Sequence, residues 1–107
     1  MNDFQEQLKK KMDGYAHLVY KITKKFPKHE IYGITSQLRR SALSVILNYI
    51  EGFARQRKNI QIYFWEISYG SLKESKYLLH FALTEKYFDK KNYRNAIKLS
   101  EEIGAMI

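Results

Sequence analysis

A chain of 107 residues, 45% apolar and 28% charged, has room for one domain with its own core and is too apolar for a disordered segment. It has no cysteine, which excludes disulfides and thiolate chemistry, and its longest nearly apolar run, Ala42 to Ile50, falls far short of the ~20 residues that span a bilayer. The net charge of +8 is lopsided, with 12 Lys and Arg against 5 Asp and Glu in residues 1–58 but 7 against 6 in residues 59–107.

The start, Met1-Asn2-Asp3-Phe4-Gln5, lacks the apolar stretch of a signal peptide, so a cytoplasmic protein without a membrane partner is expected. Leu8, Met12, Tyr15, Val19, Ile22 and Phe26 then recur at alternating steps of four and three. This heptad-like seam predicts a first helix from about residue 4 to 25. Phe26-Pro27 stops it, because a residue before proline is pushed out of the helical region. Thr35 or Ser36 offers a cap for a second helix over 34–57, whose inner seam reads Leu38, Ala42, Val45, Tyr49 and Gly52. A second apolar ridge, Leu43, Ile46, Ile50 and Phe53, lies further round it.

A third helix over 59–86 carries Ile60, Phe64, Ile67, Ser71, Glu74, Leu78 and Phe81 as its expected inner stripe, with Trp65, Tyr69, Leu72, Leu79 and Leu83 beside it. After a turn, Asn92 can cap a last helix over 92–107 bearing Tyr93, Ile97, Ser100, Ile103 and Ile107. Four seamed helices with short connections imply an all-α, antiparallel, up-down-up-down four-helix bundle in one domain, residues 1–107. The doubled ridges on helices 2 and 3, and a last helix too short to cover the Ile60–Gly70 half of helix 3, imply that copies of the chain associate.

One edge of helix 2 carries a polar ladder of Gln37, Arg40, Ser44, Asn48, Glu51 and Arg55. Antiparallel pairing with helix 3 puts Ser44 level with Ser71, and Arg40 level with Glu74, where an ion pair is predicted. Polar residues bordering a bundle core more often fix register than bind ligands. Gly52 and Gly70 each cost ~1 kcal/mol relative to alanine inside a helix. Close backbone approach, or room for a neighbouring side chain, would justify them.

No catalytic constellation is present. His17, His29 and His80 lie on separate segments without metal-ligand spacing, no glycine-rich phosphate loop occurs, and Glu51 and Glu74 differ in level by several turns. Neither an enzyme activity, a cofactor, a metal nor a small-molecule substrate is expected. The basic residues point instead to RNA or DNA. Lys9, Lys10, Lys11, Lys21, Lys24, Lys25 and Lys28 line helix 1 and its end, while Arg55, Arg57 and Lys58 crowd the turn between helices 2 and 3. An antiparallel bundle brings that turn near Lys9–Lys11, where the two groups would merge into one patch. Lysines that serve only solubility are the alternative, with the protein then a structural or protein-interaction oligomer.

Phe26-Pro27, Glu30, Tyr32-Gly33, Thr35-Ser36-Gln37-Leu38-Arg39-Arg40, Ala42, Ser44, Asn48, Glu51-Gly52 and Ala54-Arg55 together resemble the signature of a bacterial family, the four-helix-bundle proteins encoded in intervening sequences of 23S rRNA genes. Phe64, Ile67, Gly70-Ser71-Leu72 and Glu74 resemble its second block, so the likeness spans residues 15 to about 103. It implies a ring-like homopentamer without known enzymatic activity. It also implies distant kinship to the accessory proteins of diversity-generating retroelements, which form similar pentamers and bind reverse transcriptase and nucleic acid. The chain departs from the pattern at Ile46, where many relatives have proline, and in ending at Ile107 where relatives often continue.

Overall fold

The computed structural model describes residues 1–107 and contains four α-helices and no strand: α1 Asp3–Thr23, α2 Ile34–Phe53, α3 Lys58–Thr84 and α4 Lys90–Met106, with one 3₁₀ turn at Lys28–Glu30. Each helix packs against two others, α1 on α2 and α4, α3 on α2 and α4, in a body of 43 × 24 × 17 Å. On α2 and α3, Ser44 faces Ser71, Val45 faces Ser68 and Tyr49 faces Trp65. Numbers rise on one helix as they fall on the other, so these two run in opposite directions. Lys11 bonded to Glu102, and Lys21 and Lys25 beside Asp89, show the same for α1 and α4.

Helix ends differ from the sequence expectation by what caps them. Asn2 and Gln5 form a reciprocal capping box that starts α1 at Asp3. Helix α2 begins at Ile34, with Gly33 at its cap position, so neither Thr35 nor Ser36 caps it. The Glu30 carboxylate reaches back toward the Ile34 amide at 3.5 Å instead, and Thr35 Oγ1 is buried with no hydrogen-bond partner. The same helix ends at Phe53, four residues early, as the amides of Ala54 and Arg55 tighten onto carbonyls three residues back. Asp89, not Asn92, occupies the cap position of α4, and its carboxylate accepts the Asn92 amide at 2.6 Å. At the end of α3, Lys86 takes a left-handed φ of 63°, with Lys86 N–H on the Leu83 carbonyl and Tyr87 N–H on the Ala82 carbonyl, a Schellman closure.

The core is built from the expected seams of α1 (Leu8, Met12, Tyr15, Val19, Ile22, with Phe26 beyond its end) and α2 (Leu38, Ala42, Val45, Tyr49, Gly52), all buried. On α4, Ser100 and Ile103 are buried with Ala96, whereas Tyr93 and Ile97 are half-buried and Ile107 is exposed. Helix α3 departs most. It turns Ser68, Leu72, Ser75, Leu79 and Ala82 inward, while the stripe expected inside lies on its flank, with Glu74 and Phe81 exposed. The small inward residues let α3 lie close against α2, and Ser68 Oγ donates to the Val45 carbonyl at 2.6 Å. Across the bundle the Tyr15 hydroxyl bonds Ser75 Oγ at 2.7 Å, and burial pushes the phenol up to about 12.

The two helix glycines separate. A Cβ at Gly52 would overlap the Trp65 indole, whose nitrogen donates to the Tyr49 carbonyl at 3.1 Å. Gly70 faces open space within the chain, so no close approach there explains it.

Candidate nucleic-acid interface

The helix directions decide how the charge is distributed. The facing pairs Lys11–Glu102 and Ser44–Ser71 mark the middle of the molecule. A cut at that level leaves residues 12–43 and 72–101 in the half that holds the α1–α2 and α3–α4 connections. This connection half carries 13 Lys and Arg against 6 Asp and Glu, and the other half, with the chain ends and the α2–α3 turn, 6 against 5. Of the net charge of +8, +7 therefore belongs to one half of the molecule and +1 to the other.

Lys9, Lys10 and Lys11 lie in the same half as Arg55, Arg57 and Lys58, but among acids. Lys11 pairs with Glu102 at 3.0 Å, Lys9 lies 3.9 Å from Glu6, and Arg55 pairs with Glu51 one turn back while its guanidinium sits 5.1 Å from the Phe64 ring. Asp3, Glu6 and Asp13 share a surface hollow with Lys9 and Lys10. Lys21, Lys24 and Lys25 lie in the other half, exposed and without ion pairs.

Topology adds to those three lysines a group that sequence reasoning left out, Lys86, Lys90, Lys91 and Arg94, all exposed on or beside the α3–α4 connection. The signal was available, since opposite-running neighbours bring the end of α1 to the start of α4. The Asp89 carboxyl beside Lys25 is held below the usual carboxylate range, first by the Asn92 amide and more weakly by that lysine. Two aromatic ties join the connections: Phe26 packs 5.6 Å from Tyr87 and 5.7 Å from Phe88, and the Tyr87 hydroxyl donates to Glu30 at 2.8 Å. That bond pushes the Tyr87 phenol up, since it favours the protonated form.

The polar ladder is a network in its middle and loose at one end. Ser44 Oγ bonds Ser71 Oγ at 2.7 Å, and Asn48 donates to both the carbonyl and the hydroxyl of Ser44 at 2.9 and 2.8 Å. Arg40 and Glu74 stay exposed and form no ion pair, contrary to expectation. Their levels agree, but both side chains leave the α2–α3 groove for solvent, where an exposed pair gains little over hydration. Gln37 and Glu74 line a shallow groove with Ile34, Leu78 and Phe81. Nowhere do three or more Asp, Glu or His side chains come together as metal ligands would. No helix is long and apolar enough to cross a membrane.

This is a four-helix protein whose sites are surfaces. The family model of the 23S rRNA-intervening sequence proteins matches residues 5–107, and the chain belongs to that family. Among solved structures it is similar to a protein of unknown function from the S23 ribosomal protein family of Bacteroides thetaiotaomicron VPI-5482. The TM-score is 0.88 at 20% identity, over 96% of this chain and 93% of that one. At that identity the likeness is one of fold. No curated protein matches the chain.

Proposed function

We propose that the protein is a non-enzymatic, cytoplasmic accessory protein that binds the RNA or DNA backbone through its connection half. The observation that carries this is the concentration of +7 of the net +8 in that half, with the other nearly balanced. Exposed lysines and arginines gathered at one end release counterions when they meet phosphates, which gives salt-sensitive, sequence-independent binding.

The same reading takes the antiparallel up-down-up-down bundle as the protomer of a homo-oligomer, a pentameric ring by family resemblance, in which repetition of the basic end would make a basic rim. Its support is uncovered apolar surface. Leu47 on α2 and Tyr63 and Tyr77 on α3 are 59%, 59% and 62% exposed. That surface equally favours a second reading, a protein-interaction oligomer with lysines serving only solubility.

Binding of a structured RNA and of duplex DNA, measured across a salt series, separates the two. Reversing Lys24, Lys25, Lys90 and Lys91 to glutamate is expected to abolish binding and flatten the salt dependence, whereas reversing Lys9, Lys10, Arg57 and Lys58 weakens it less. The opposite order would return the interface to the α2–α3 end. No binding at low salt leaves the second reading.

A further inference from the structure

Resting on the basic-half reading, we infer that Tyr32 is a base-stacking platform, so that the preferred ligand is unpaired rather than duplex nucleic acid. Tyr32 is 95% exposed, the most open of the exposed large apolar and aromatic side chains, and it stands in the α1–α2 connection within the basic half. Its backbone is held. Glu30 N–H bonds the Pro27 carbonyl at 3.0 Å, Ile31 N–H the Lys28 carbonyl at 3.2 Å and Gly33 N–H the Glu30 carbonyl at 2.9 Å.

Glu30 anchors the turn from two sides, through the Tyr87 hydroxyl at 2.8 Å and the Ile34 amide, while Gly33 leaves room for its carboxylate. The aromatic side chain is thus presented to water by a fixed loop. Phe26, Tyr87 and Phe88 stand differently, since Phe26 packs against both of the others. Lys28 and His29 precede Tyr32 by four and three residues, both exposed.

A ring free on its faces, in the half of the molecule that carries most of the net charge and one turn of chain after the exposed Lys28, has the two parts that single-strand binding needs: a stacking surface for a base and charges for the adjoining phosphates. A duplex keeps its bases stacked on each other and offers Tyr32 no free face, so backbone contact alone would leave the residue without a role.

The test compares a labelled single-stranded oligonucleotide with a duplex of the same sequence, by fluorescence anisotropy over a salt series, for the full chain and for Tyr32→Ala and Tyr32→Phe. Tyr32→Ala is expected to weaken single-strand binding at least about fivefold, the loss of one stacked base, and to leave duplex binding and the salt slope unchanged. Tyr32→Phe retains the affinity. Equal loss on both ligands, or salt-sensitive binding that ignores Tyr32, overturns this inference alone. Absence of salt-sensitive binding to either ligand overturns the basic-half reading as well. Displacement of the single strand by polyglutamate as effectively as by unlabelled strand would assign the surface to an acidic protein and overturn the stacking role. Because Tyr32 packs against nothing, unchanged helical circular dichroism is expected for both variants.

Discussion

At the scale of single residues, what stands out is how buried hydroxyls are satisfied. Ser68 and Ser75 occupy core positions on α3, and each donates to a carbonyl, Ser68 across to Val45 and Ser75 to Leu72 at 2.8 Å. Tyr15 joins the second of these, and its burial keeps the phenol protonated to about 12 against an ordinary 10.0. The folded state therefore holds a proton that the unfolded chain loses first. The stabilisation is fully present below pH 10 and lost as pH rises from about 10 to 12. Tyr49, raised by burial and by the Glu6 charge, and Tyr87, raised by Glu30, act in the same direction. Thermal unfolding followed upward through pH 10 should show a falling Tm. Tyr15→Phe should cost about 1 kcal/mol at neutral pH, the value of one hydrogen bond, and make the alkaline fall shallower. An unchanged slope in the variant would mean that Tyr15 does not carry the effect.

At the scale of elements, period and size act separately, and the sequence speaks more clearly about period. The inward lines of α1 and α2 were legible because their largest apolar residues are also the ones turned inside: Leu8, Met12 and Tyr15 on one, Leu38, Val45 and Tyr49 on the other. On α3 the same rule chose Phe64, Ile67 and Leu78, while the buried line is Ser68, Leu72, Ser75, Leu79 and Ala82. Both lines share the helical period, and what decides between them is the closeness of α2, which small residues permit and phenylalanine does not. The cap errors have a similar origin: Thr35 is a good capping residue by type but lies buried beneath a turn that Glu30 already closes. Of the basic half, sequence reading found Lys21, Lys24, Lys25 and Lys28 but not Lys86, Lys90, Lys91 and Arg94, which lie about sixty residues further along the chain and join them only once the helices are placed.

Gly52 tests the close α2–α3 packing directly. Gly52→Ala pushes a methyl into the indole of Trp65, a rigid ring with nowhere short to move, and should cost about 1–3 kcal/mol. The expected readouts are a lower Tm and a shifted emission from Trp65, the chain's one tryptophan. Gly70→Ala meets nothing within the chain and should leave that emission unchanged. Equal effects from the two substitutions would mean that α2 and α3 do not sit this close.

At the scale of the whole molecule, the choice of small residues inside α3 has a consequence outside it. Turning Ser68 and Ser75 inward leaves Tyr63, Ile67, Gly70, Glu74, Tyr77 and Phe81 on the outer side at steps of four and three, a heptad line with no partner in the chain. Helix α4 ends with Met106 and Ile107 near Trp65, and Ile62 remains 44% exposed. On α2, Leu47 and Ile50 stand open at 59% and 41%, and the Ser44–Asn48–Ser71 network lies in the groove between the two helices. Apolar lines flanking a satisfied polar strip are what a helix-on-helix contact between copies requires: the lines supply burial and the strip fixes register. Sedimentation equilibrium should therefore give a mass that is a multiple of 12.8 kDa. Tyr63→Glu combined with Tyr77→Glu, both at exposed positions that the fold does not use, should release a helical species of 12.8 kDa. A wild-type chain that stays at the single-chain mass at high concentration would refute the association, and a double variant that keeps the wild-type mass would move the contact off α3. Because the basic half includes part of the same helices, the monomeric variant should also lose the gain in avidity that several basic ends on one assembly provide. Its affinity for a long nucleic acid should then fall much more than its affinity for a short one.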